Sequence, residues 1–124
     1  MSLHTLARQF VELCNQGKNF DVMEAMYAPD IVSIEASGVE VAGKVPVIEK
    51  SRRWQAENTI HSEKVRGPFY DRTNGASSGQ FAVHFTFEVT PKATGSRVAI
   101  EEIGVYTVKD GAITREQFYY DGDR

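Results

Sequence analysis

Apolar residues in the first segment fall at Leu3, Leu6, Ala7, Phe10, Leu13 and Cys14. This is the i, i+3, i+4, i+7 spacing of an amphipathic helix, which Gly17 stops. Asn19 can cap a second, short helix with Phe20, Met23, Met26 and Tyr27 on one face, after which Ala28-Pro29-Asp30 turns the chain. The period then changes to two. Ile31 to Ala36 alternates as a strand, and Val39 to Ala42 can pair with it around Ser37-Gly38. Pro46 suits the first turn of a third helix that aligns Val47, Ser51, Trp54 and Asn58. Only strand signals follow: His61 to Tyr70, interrupted by Gly67-Pro68, then Gln80 to Val89, then two runs flanking the loop KDG. The soft stretch TNGASSG, Thr73 to Gly79, reads as a loop. Helices first and a mostly antiparallel sheet afterwards predict one α+β domain over residues 1–124.

The last two runs, RVAIEEIGVYTVKDGAITREQFYYD, pose a chemical question. KDG fits a three-residue loop with Gly111 in the left-handed position. Val108 would then pair with Ala112, Gly104 with Glu116 and Glu102 with Phe118. On that register Glu102, Gly104, Tyr106, Glu116, Phe118 and Tyr120 share a face, and Gly104 leaves open space above Glu116. A two-residue DG loop would shift the pairing by one and break the face. The opposite face holds Arg97, Glu101, Ile103, Val105, Arg115, Gln117 and Tyr119, a surface for solvent or a partner. Carboxylates among apolar side chains are costly unless paired, and their pKa values rise. Such groups can exchange protons near neutral pH.

Composition narrows the classes. The chain has 124 residues, 41% of them hydrophobic, enough for one core without disulfides. A net charge of −3 gives no electrostatic reason to expect nucleic acid or an anionic membrane. The lone Cys14 cannot form an internal disulfide and suits a small buried hydrophobe in a reducing compartment. The start MSLHTLARQFVELC lacks the layout of a signal peptide, and no run approaches the ~18 apolar residues of a membrane span. A cytoplasmic location is expected. His4, His61 and His84 show no ligand spacing with one another or with Cys14, so no metal is expected. No glycine-rich phosphate loop or G-x-S-x-G elbow is present, and no cofactor is expected. His84 alternates out of phase with Phe81, Val83, Phe85, Phe87 and Val89, which points it to solvent or a subunit interface.

Three stretches carry a family likeness: FVELCNQGKNFDVMEAMYAPDIVSIEASG, VAGKVPVIEKSRRW and IEEIGVYTVKDGAITREQFYYD. Over nearly its whole length the chain resembles the SnoaL-like group of the nuclear transport factor 2-like superfamily. The first and last stretches are specific in combination, for a fold more than for a reaction. The resemblance implies a curved, mostly antiparallel sheet wrapped round N-terminal helices, a cone with a central pocket. It also implies a homodimer formed through the sheet. Glu35 falls where the related ketosteroid isomerases carry their proton-shuttling carboxylate. Phe10 stands where those enzymes have a tyrosine donor, and Gly104 lies near their second donor, which argues against steroid isomerisation. Glu116 occupies the part of the last strand where many relatives carry histidine.

Together these readings make Glu116, Glu102 and Glu35 the candidate catalytic residues. Phe10, Tyr27, Trp54, Tyr106, Phe118 and Tyr120 are the candidate pocket residues, although aromatic residues serve cores as readily as sites. The expected function is binding of a small apolar organic molecule, with a cofactor-free isomerase, cyclase or hydratase reaction. The competing expectation is a non-catalytic ligand-binding or dimerisation module, with the glutamates neutralised by Arg52, Arg53 or Arg66 and the pocket filled by side chains.

Overall fold

A computed structural model describes residues 2–71 and 76–121. Thr73 to Gly75 of the expected loop lie outside the described residues. The order is α1 (Leu3–Asn15), α2 (Asn19–Met26), β1 (Tyr27–Ile34), β2 (Glu40–Ala42), α3 (Lys44–Glu57), β3 (Asn58–Tyr70), β4 (Gly79–Pro91), β5 (Val98–Lys109) and β6 (Ala112–Tyr120). The strands form one open sheet ordered β2-β1-β6-β5-β4-β3. All neighbours are antiparallel except β1 and β6, which run parallel. The fold is the expected α+β class.

Helix α1 forms where the apolar spacing required it. The Ser2 side chain caps its start by accepting from the Thr5 amide at 3.1 Å. Leu3, Leu6, Ala7, Phe10 and Cys14 are buried. Gly17, at φ +76°, ends the helix, with the Lys18 amide donating back to the Leu13 carbonyl at 2.9 Å. Helix α2 departs from expectation at both ends. Lys18 is the cap residue, without a side-chain cap bond. Asn19 instead sends its amide across to Glu63 Oε2 on β3, at 2.7 Å. Tyr27 leaves the helix and opens β1, and Ala28-Pro29-Asp30 lies inside that strand rather than forming a turn. The register with β6 breaks between Tyr27 and Val32, an irregularity that accommodates Pro29, which has no amide to donate. Asn58 starts β3 rather than ending α3, and its side chain donates to the Trp54 carbonyl at 2.9 Å.

The sheet must be curved. Helix α3 packs against both β1 and β3, which stand four steps apart in the strand order. In a flat sheet they would be ~19 Å apart, beyond the reach of one helix ~10–12 Å across. The concave side receives the three helices. Its buried rows include Phe81, Val83, Phe85, Phe87 and Val89 of β4. Phe10 of α1 enters this face with its ring 5.4 Å from Phe81 and 4.6 Å from Tyr106.

The β5–β6 hairpin keeps the expected face by a different route. The loop is the two-residue Asp110-Gly111, with φ +50° and +79°. Both residues lie in the left-handed region that a type I′ turn needs. Val108 therefore pairs with Ile113 rather than Ala112. One step on, Thr114 bulges out and the pairing shifts once more, to Thr107 with Arg115. The two single shifts restore parity, so Glu102, Gly104, Tyr106, Glu116, Phe118 and Tyr120 share the concave face after all. Their partners differ: Tyr106 faces Glu116, Gly104 faces Phe118 and Glu102 faces Tyr120. His84 lies on the convex side, as expected, with Nε2 2.7 Å from Glu101 Oε1.

Strand β3 ends the sheet, so one of its edges lacks a strand neighbour. Asn15 covers that edge: its side chain donates to the Val65 carbonyl at 2.9 Å and accepts from the Val65 amide at 2.8 Å. Asn15→Ala should lower stability by about 1 kcal/mol, since water can reach part of the exposed edge. Urea denaturation would show this as a lower midpoint at unchanged slope.

Candidate functional site

The helices do not fill the concave face. A cavity of ≈ 670 Å³ remains, within the ~300–1,000 Å³ typical of small-molecule sites. All nine sequence-predicted positions line it: Glu35, Glu102, Glu116, Phe10, Tyr27, Trp54, Tyr106, Phe118 and Tyr120. Val22 and Met23 of α2 and Phe85 and Phe87 of β4 extend its apolar wall. Trp54 holds its place edge-on to Phe87, with ring centres 5.5 Å apart. The space expected above Gly104 is taken by the Tyr106 ring, so Glu116 is not left open from that side.

Glu116 is only 2% exposed. Its Oε1 accepts from the Tyr27 hydroxyl, and its Oε2 accepts from Ser33 Oγ at 2.7 Å. The parallel pairing of β1 with β6 places Ser33 beside Glu116. Ser33 Oγ in turn accepts from Lys50 Nζ at 2.5 Å. That ammonium sits 2.7 Å from Glu35 Oε1 and 4.0 Å from Glu116 Oε2. The Tyr120 hydroxyl closes the chain by donating to Glu35 Oε2 at 2.8 Å. Six side chains, from β1, α3, β6 and the β1–β2 connection, thus form a single polar network in an apolar surround. Glu102 lies half-buried on β5, level with Tyr120 on β6.

Burial pushes the Glu116 carboxyl above the usual glutamate range, and the nearby Glu35 charge adds to the rise. Hydrogen bonds from Ser33 and Tyr27, and then the Lys50 charge, oppose it without cancelling it. Tyr27 is held well above its ordinary value, first by burial and then by the Glu116 charge. Cys14 lines the cavity as a buried thiol. Burial, followed by the Glu63 charge, raises its pKa far out of the reactive range, as a packing residue requires.

Ser33 and Lys50 were missed by the sequence reading. Two signals pointed to them: Ile31, Ser33 and Glu35 alternate on one strand face, and Lys50 lies three residues after Val47 and four before Trp54, on the same helical face. The expected arginine partners are elsewhere. Arg52 lies 4.7 Å over the Phe20 ring, Arg66 5.9 Å over Phe69, and Arg53 is exposed. Among the described residues no group of three His, Cys, Asp or Glu side chains could hold a metal ion, and no helix is long and apolar enough to cross a membrane.

The model of the SnoaL-like domain matches residues 1–120. The chain belongs to the SnoaL-like family. A Mesorhizobium loti protein, named as a SnoaL-like polyketide cyclase with carbohydrate phosphatase in brackets, is 44% identical. The match covers 97% of this chain and 100% of that one, with a TM-score of 0.88. A Xanthomonas campestris protein named as a polyketide cyclase is 17% identical, with 95% and 89% of the two chains covered and a TM-score of 0.73. A Bacillus subtilis protein named as an isomerase is also 17% identical, with 94% and 84% covered and a TM-score of 0.68. These last two share the fold. No match was found among curated proteins.

Because folding raises the Glu116 pKa, the native state binds its proton more tightly than the unfolded chain does. Glu116 therefore supports folding most at low pH, and that support is lost as pH rises from the ordinary glutamate value through the raised one. Stability of the wild type should fall across this window relative to Glu116→Gln, read by urea denaturation at a series of pH values. Lys50→Met removes an opposing cation, so the Glu116 midpoint should move higher still in a carboxyl ¹³C NMR titration.

Proposed function

We propose that the SnoaL-like cavity binds a small, largely apolar organic molecule and that Glu116 moves a proton on it without a cofactor. The reaction class is isomerisation, aldol-type cyclisation or hydration. One observation carries the reading: a shielded carboxyl of raised pKa lies in the wall of an open, mainly apolar cavity. As a carboxylate, Glu116 would accept a proton from carbon, with Tyr27 and Ser33 fixing its orientation and Lys50 moderating the cost of its charge. As an acid, it would return that proton to the product. Glu35 holds Lys50 in place, and Glu102 adds a second carboxyl to the wall. Tyr27 and Trp54 shape the space that orients the ligand.

A binding module without chemistry is the second reading, favoured by the hydrogen bonds already engaging both oxygens of Glu116. Exchange of carbon-bound protons in D₂O separates the two. With 2-tetralone as the carbon-acid probe, wild type should accelerate α-proton exchange seen by ¹H NMR, and Glu116→Gln should reduce it by ~10²–10⁴-fold. Binding of the probe without any acceleration would leave the module reading standing.

A second copy of the chain is the proposed partner of the convex face. Ile103 and Tyr119 are direct neighbours there, 39% and 51% exposed. Wild type should sediment as a dimer and Tyr119→Asp as a folded monomer; a monomeric wild type would end this proposal.

A further inference from the structure

A second carboxyl faces the cavity outside the polar network. Glu63 lies half-buried on β3 and lines the cavity. Across the sheet it is level with Phe87, whereas Glu116 is level with Tyr106 and, beyond it, Phe81. Three strand steps separate the two carboxyls, and so does the stretch of β4 from Phe81 to Phe87, about 20 Å of strand. His61 and Ser62, beside Glu63, are exposed and also line the cavity, so this end meets solvent.

Asn19 holds Glu63 in place. Its amide donates to Glu63 Oε2 at 2.7 Å, and α2 is left without a side-chain cap. A neutral amide fixes the carboxyl but does not balance its charge. Among the described residues no cation does so either: the ion pairs belong to Lys50, His84 and Arg97. Lys50 is the one lysine or arginine among them that lines the cavity, and it is paired with Glu35. His61 is engaged with Thr90 Oγ1 at 2.7 Å. Burial lifts the Glu63 carboxyl above the usual glutamate range, with the Asn19 bond opposing, and a cation beside it would reverse that rise. Two aromatic rings stand near. Phe87 is the direct cross-strand partner of Glu63, and the Cβ atoms of such partners lie about 4.5–5.5 Å apart. Trp54 is set edge-on to Phe87, with ring centres 5.5 Å apart, and both line the cavity. A cation that reaches Glu63 can therefore also meet a ring face.

We propose that Glu63, together with the Phe87 and Trp54 rings, receives a protonated amine carried by the ligand at the end away from Glu116. This rests on the small-molecule reading of the cavity and adds a cationic group to the ligand's apolar frame. The wall as a whole agrees in sign: carboxyls of Glu35, Glu63, Glu102 and Glu116 line the cavity against the single ammonium of Lys50. Such a field draws a cation in and turns an anion away. Glu63 is a specificity-determining residue, deciding which molecules enter and taking no part in proton transfer. Asn19 is a positioning residue, acting through Glu63.

The test uses 2-aminotetralin, 2-tetralol and tetralin-2-carboxylate, one frame carrying an ammonium, a hydroxyl or a carboxylate at neutral pH. NMR shift titration of wild type should rank their affinities in that order. Glu63→Gln should reduce the preference for the amine over the alcohol by roughly 5- to 20-fold, with little change for the alcohol. Glu63→Asp, which keeps the charge, should retain part of that preference, whereas a merely structural role would weaken both probes alike. Thermal melts of each variant report folding. Wild type alone gives a further check: the C2 proton of the bound amine should show NOEs to the Phe87 ring. A folded Glu63→Gln that keeps the wild-type ratio overturns the inference and leaves the cavity reading intact. So do NOEs from that proton to Tyr106 alone, or a wild type that binds the alcohol as tightly as the amine. Failure of wild type to bind any of the three probes overturns the cavity reading and this inference with it.

Discussion

One carboxyl placed away from water organises this molecule. An unpaired charge at the position of Glu116 would cost several kcal/mol, so the chain must bring partners to it. It does so from far away in sequence: Tyr27 from the α2–β1 junction, Ser33 from the parallel neighbour strand, and Lys50 from α3. Glu35 and Tyr120 then hold Lys50 from its other side. The topology serves this arrangement. Only because β1 runs parallel to β6 does Ser33 fall level with Glu116, and only because the sheet curls does α3 reach both sides of the cavity.

The polar network is confined, and the confinement matters for chemistry. Around it stand rings in contact: Phe10 with Phe81 and Tyr106, Phe85 stacked on Phe87, Trp54 edge-on to Phe87. Packed aromatic walls have few alternative rotamers, so the cavity is held open by rigidity instead of being filled by collapse. The two expectations for the site therefore divide. The cavity is open, as a ligand site requires, while the Glu116 carboxyl is hydrogen-bonded, as a structural charge would be. A tethered carboxyl of raised pKa satisfies both conditions, because orientation and proton exchange are compatible in one group.

Much of this was legible in the sequence because side-chain period is a local property. The alternation in β5 and β6 put Glu102 and Glu116 on the concave face, and the spacing of Leu3, Leu6, Phe10 and Cys14 fixed the buried side of α1. What local pattern could not show was compensation between two irregularities. The Asp110-Gly111 turn alone would have put Glu116 on the face opposite Glu102, and the Thr114 bulge turned it back. Partners were harder still. Asn19 reads as a cap, yet its amide is drawn to Glu63, a residue on the sheet edge. Lys50 shares the Val47 and Trp54 face of α3 in the sequence, but that face does not name its partners, and only the closed fold brings it to Glu35 while Arg52 lies over Phe20. Gly104 was read as vacancy, but glycine can equally mark a neighbour's resting place.

The parallel β1–β6 contact also sets an order of events. β1 belongs to the first third of the chain and β6 is its last strand, with β2 to β5 between them. Such a distant pairing carries a large loop-closure cost and comes late unless intervening structure shortens the path. Until β6 docks, Tyr27, Ser33 and Lys50 have no carboxyl to answer, and β1 presents an open edge. The step that completes the polar network is therefore also the step that seals the sheet, and neither exists before Ala112–Tyr120 is in place.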